Sequence, residues 1–82
     1  MQHLSWYGKS PNEKVRLYTT YELSIFIDNC IFSERDRAIL KRRLLDGVKF
    51  DDLAEEFKYS SRHIKRIFYR AENKLIKYIE HP

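Results

Sequence analysis

Ser61, Arg62, Lys65 and Arg66, with Tyr69 one turn further along, carry the most distinctive chemistry in this chain. Side chains three and four positions apart share a helix face, so this set would align hydroxyl, guanidinium and ammonium groups along one edge. Such groups grip phosphates and read base edges. Ile64 and Ile67 interleave with them and must turn the opposite way, which makes them the anchors of the same helix.

Other chemistries lack their residues. His3, His63 and His81 lie far apart, with no Cys or carboxylate at metal-ligand spacing, so no metal site is expected. No Gly-rich loop precedes a helix, which removes a nucleotide-phosphate cradle. Ser60 and Ser61 beside His63 read as a helix cap and a helix face rather than as nucleophile and base. Neither an enzyme nor a cofactor is expected. The single cysteine, Cys30, excludes an internal disulfide and falls within an apolar stripe, where it reads as a structural thiol.

The elements that must position this edge are bounded by size. Eighty-two residues make one domain, and folding hides only about 60% of the surface of so small a chain. Hydrophobic residues at 43% supply a core, while 2 Gly and 2 Pro are too few to punctuate a turn-rich β fold. The net charge of +4 is unevenly placed. Acids and bases balance in residues 1–32 and again in 33–60, whereas 61–82 hold six basic side chains against two acidic ones. A stripe of one sign attracts a polyanion better than scattered charge does. No apolar run approaches the ~18 residues that span a bilayer, so no membrane association is expected. The N-terminus lacks the pattern of a signal peptide, and the expected compartment is the cytoplasm.

Periodicity and caps predict an all-α fold, a small bundle of about four helices containing a helix-turn-helix with a long C-terminal recognition helix. Thr19 and Glu22 form a capping box, and Leu23, Phe26, Ile27, Cys30 and Ile31 follow as one stripe. Ser33 opens a second helix with Asp36 as a shorter box, Ala38, Leu40, Leu44 and Leu45 as apolar surface, and Asp46-Gly47 as the stop. Most of Arg35, Arg37, Lys41, Arg42 and Arg43 on this helix read as solvated charges. Phe50, Leu53, Ala54 and Phe57 mark a short third helix, with Asp51 and Asp52 suited to the positive end of its dipole. After a break at Lys58-Tyr59-Ser60, the last helix runs from about Ser61 to about Ile79, with Ile64, Ile67, Phe68, Ala71, Leu75, Tyr78 and Ile79 as its stripe. Residues 1–18 form an N-terminal arm whose Trp6, Tyr7 and Tyr18 need something to pack on, and 19–82 form the helix-turn-helix domain.

A short helix, a tight break and a basic helix describe the helix-turn-helix pattern, with Ala54 small enough for the crossing. Ser33, Arg35, Gly47, Phe50, Leu53, Ala54, Ser60, Ile64, Lys65, Arg70, Ala71, Lys74 and Leu75 give it a more specific form. Over roughly residues 32–80 the chain resembles region four of bacterial sigma factors, the module that reads the upstream promoter element. The resemblance implies that Ser61, Arg62, Lys65 and Arg66 read bases, and that Lys49, Ser60, Tyr69, Arg70 and Lys74 contact phosphates. Lys58 stands where a residue tolerant of positive φ is common, and Lys49 where a capping Ser or Thr is usual.

The expected function is a stand-alone, sequence-specific regulator of transcription bound to double-stranded DNA, of the kind some phages and mobile elements carry. It is expected to act without the sigma region that melts the downstream promoter element. The alternative is an interaction module that binds core RNA polymerase or an anti-sigma partner without reading sequence, using the aromatic arm as extra surface. A LuxR-type domain or a phage packaging subunit would present a similar pattern. A homodimer through Leu75, Ile76, Tyr78 and Ile79 competes with packing of those residues on the first helix.

Overall fold

The computed structural model describes residue 15 and residues 17–81. Among the described residues four helices follow in order: α1 (Thr20–Cys30), α2 (Glu34–Leu44), α3 (Phe50–Phe57) and α4 (Ser61–Glu80). The arrangement is the small all-helical bundle that the periodicity predicts. Trp6 and Tyr7 of the N-terminal arm lie outside the described residues. Val15 is buried in the core, Leu17 is exposed, and the Tyr18 ring meets Phe26 edge-on at 5.1 Å.

Three of the four described helices begin at the side-chain cap their sequence supplies. The Thr19 amide donates to Glu22 Oε1 at 2.9 Å and the Glu22 amide donates to Thr19 Oγ1 at 3.1 Å, which is the complete box. Ser33 is half of one: it accepts from the Asp36 amide, but the Asp36 carboxylate turns to Arg35 instead of back to the cap. Ser60 accepts from the His63 amide and starts α4. Lys49 precedes α3 with no side-chain cap, leaving that helix start to its acidic first turn.

α4, about 30 Å long at 1.5 Å per residue, is the spine against which the other three helices pack. Leu23 and Ile27 of α1, Ile39, Leu40 and Leu44 of α2, and Leu53 and Ala54 of α3 close on Ile64, Ile67, Phe68, Ala71 and Leu75. Ile39, which the apolar spacing omits, is fully buried, while Ala38 is half-buried. α2 touches α1, α3 and α4, so its buried arc is wider than a single stripe. Glu72 is also buried, at 7% exposure.

The far half of α4 packs within the chain. Leu75 is buried, Ile76 and Ile79 lie against the core, and the Tyr78 hydroxyl accepts a hydrogen bond from Asn29 Nδ2 of α1 at 3.2 Å. Cys30 is half-buried, and desolvation raises its thiol pKa above the ordinary value. On the outer side of α1, Tyr21 and Ile25 remain exposed, as does Phe32 just beyond it. Among the described residues no helix is long and apolar enough to cross a membrane.

Candidate nucleic-acid interface

The turn between α3 and α4 is shaped by Lys58 and Tyr59. Lys58 adopts a left-handed backbone, with φ 61° and ψ 41°. Its amide donates to Glu55 O at 3.4 Å and the Tyr59 amide donates to Ala54 O at 2.9 Å, the closure by which a helix stops on a positive-φ residue. Lysine therefore does here what glycine usually does, at about 1–2 kcal/mol of backbone strain. Tyr59 then stacks near Phe57 and lies 4.6 Å from the His63 ring, tying the turn to the first turn of α4.

Beyond that turn α4 divides into two faces. Ile64, Ile67 and Phe68 are buried and Arg62, Lys65, Arg66, Tyr69 and Arg70 are exposed, so the predicted outward face is the outward face. At about 100° per residue, Arg62, Arg66 and Tyr69 form the centre of this face, with Lys65 on one flank and Arg70 on the other. Asn73 and Lys77 continue the central line, are exposed, and escaped the sequence reading.

Two predicted members are placed differently. Ser61 is half-buried and turned toward α3, where its hydroxyl donates to Asp51 Oδ1 at 2.5 Å. It stands a full residue step, about 100°, from Arg62, so it borders the face instead of sharing its centre. Lys74 is exposed, about 18 Å along α4 from Arg62 and about 120° around the helix from it, and its charge lowers the Cys30 thiol pKa against the larger effect of burial. Ser60, expected at phosphates, is occupied as the cap of α4.

The basic side chains of α2 behave differently from those of α4. Expected as solvated charges, Arg37, Lys41 and Arg42 are partly exposed and pair with carboxylates of neighbouring helices, while Arg35 pairs with the adjacent Asp36. Lys41 meets Asp28 of α1 at 2.7 Å, with Arg37 3.9 Å from the same carboxylate. Arg42 meets Glu56 of α3 at 2.7 Å, and Arg35 meets Asp36 at 3.0 Å. The neighbouring Tyr59 and Asp36 push the Arg35 pKa further up, keeping it a cation. By contrast, Arg62, Lys65, Arg66 and Arg70 form no ion pair among the described residues.

Phe50 organises the edge where these elements meet. Its ring lies 4.2 Å from the Arg43 guanidinium carbon, 5.7 Å from the Lys65 ammonium and 6.0 Å from the Tyr69 ring. Arg43 is fixed further by donating from Nη1 to Val48 O at 3.1 Å. The sequence assigns Phe50 only to the core, because its helical spacing says nothing of which cations reach its ring. Among the described residues no set of three His, Cys, Asp or Glu side chains could hold a metal. Comparisons with protein-family models, with curated proteins and with solved structures find no match to this chain.

Proposed function

We propose that the chain is a sequence-specific double-stranded DNA-binding regulator of transcription, with α4 as the helix that enters the major groove. The observation that carries this reading is the contrast between the two sets of cations. Of the α2 cations, Arg35, Arg37, Lys41 and Arg42 have carboxylate partners at the partly exposed surface and Arg43 lies over the Phe50 ring, whereas Arg62, Lys65 and Arg66 stand together on one exposed face, without carboxylate partners among the described residues. Unpaired guanidinium groups at the N-terminal end of such a helix suit the O6 and N7 acceptors of guanine. Arg70 on the flank of that face, Tyr69 on its central line and the exposed Lys49 at the start of α3 suit phosphates; Lys74 is too far round to be a principal contact.

A second reading is an interaction module for core RNA polymerase or an anti-sigma partner. It draws on Tyr21 and Phe32, which are 75% and 83% exposed although large and apolar. Selection of bound sequences from a random duplex pool at physiological salt separates the two. An enriched motif is the expected result. A flat pool, together with capture of polymerase by the intact chain, would replace the first reading with the second.

A further inference from the structure

Asp51 lies in the first turn of α3, exposed and without a cation partner among the described residues. Its position would ordinarily be explained by the helix dipole alone. The hydrogen bond from Ser61 changes that, because it pins one carboxylate oxygen of Asp51 to the first residue of α4. An ionised carboxylate has about four lone-pair sites and accepts only, so one proton from Ser61 leaves most of its capacity unused. The group is thereby an oriented acceptor at the end of α4 whose residues, in the proposed docking, lie nearest the base edges.

We infer that Asp51 is a specificity-determining residue, selecting a cytosine at the edge of the bound site through the cytosine N4 amino group. Cytosine N4 is the major-groove donor that a carboxylate suits best. Guanine O6 and thymine O4 offer only acceptors there, which repel a second acceptor. Near phosphates the same charge also disfavours non-specific docking, so Asp51 balances the attraction of Arg62, Lys65 and Arg66. Ser61, in this arrangement, is the positioning residue that fixes the carboxylate.

The inference rests on the DNA-reading proposal, and the test keeps the two separable. Bound duplexes are selected from a random pool with the natural chain and with Asp51→Asn. An asparagine oxygen still accepts from Ser61, so the clip survives, while the free side of the group becomes an amide donor. The natural chain is expected to enrich cytosine at one edge position, and Asp51→Asn to shift that position away from cytosine toward a base that presents a major-groove acceptor (adenine, guanine or thymine), with the remaining positions unchanged. On the natural motif, replacing that cytosine pair is expected to weaken the natural chain roughly tenfold and to leave Asp51→Asn little affected. Ser61→Ala is expected to blunt the cytosine preference without moving it to another base. Circular dichroism and the thermal midpoint show that the variants are folded; the pair-replacement series on the natural chain needs no variant at all. Identical motifs from the two chains, or no cytosine cost for the natural chain, overturn the role of Asp51 alone. A natural-chain pool with no motif overturns the DNA-reading proposal and this inference together.

Discussion

The Arg43 guanidinium lies 4.2 Å from the centre of the Phe50 ring, and that ring also sits 5.5 Å from Phe68 in the core. One aromatic side chain thus couples the outer cations to the inner packing of α4. Phe50→Leu keeps an apolar group but removes the ring that Arg43, Lys65 and Tyr69 share. Its expected cost is about 1–2 kcal/mol, less than full truncation of a core aromatic because Phe50 is only half-buried. Urea denaturation would report this as a lower midpoint with an unchanged slope.

Lys58 carries the left-handed backbone at the turn and is exposed. Lys58→Gly relieves the strain but loosens the unfolded chain, so the net gain expected is up to about 1 kcal/mol. Lys58→Val, which adds β-branching at the same φ, should destabilise by more than glycine stabilises. Paired denaturation curves for these two variants check the sign of both effects.

The fold was legible wherever a local signal sufficed. Thr19 with Glu22, Ser33 and Ser60 marked helix starts correctly, because a cap acts within three residues. The faces of α4 were legible for the same reason: Ile64, Ile67 and Phe68 repeat at helical spacing, which leaves Arg62 and Arg66 outward. Ile39 was missed because α2 is packed against three neighbours, and a stripe derived for one neighbour is too narrow. The ion pairs of α2 were not legible for a different reason. Their partners, Asp28 and Glu56, lie on other helices, and no spacing within α2 announces them. Ser61 was grouped with Arg62 because the two are adjacent in sequence, yet adjacent residues diverge by about 100° around a helix. Its bond to Asp51, ten residues earlier, exists only because Lys58 turns α3 back across α4.

Lys49 separates stability from binding. Lys49→Ser supplies the side-chain cap that α3 lacks and should stabilise the fold by about 0.5–2 kcal/mol. The same change removes a cation beside the proposed interface, so the slope of log affinity against log salt should fall by about 1. Stability up and salt slope down in one variant is the expected pair of results.

Cys30 titrates above its ordinary value of 9.0 because burial disfavours the thiolate, an effect that outweighs the backbone hydrogen bond and the nearby Lys74 charge. The native protein therefore holds the proton longer than the unfolded chain. Its contribution to stability is complete below the ordinary value and is lost as pH rises through the native one. Alkylation near pH 8 should accordingly run slower in the native protein than in urea, and Cys30→Ala should reduce the fall in stability at alkaline pH.

Arg70 and Lys74 test the placement of α4 on phosphate. Arg70→Ala should weaken binding to all duplexes alike and lower the salt slope by about 1, whereas Lys74→Ala, further round the helix from Arg62, should change both by less. Fluorescence anisotropy across a salt series measures the two slopes.

In the proposed docking, Arg62 is the residue on which base reading would depend most. The affinity of Arg62→Ala, measured in parallel on the selected motif and on random duplex at one salt concentration, separates reading from gripping. A loss of about 1–3 kcal/mol on the motif with little change on random duplex is the expected result. Equal losses on both would mean that this side chain only grips the backbone, and α4 would then not be a reader of sequence through Arg62.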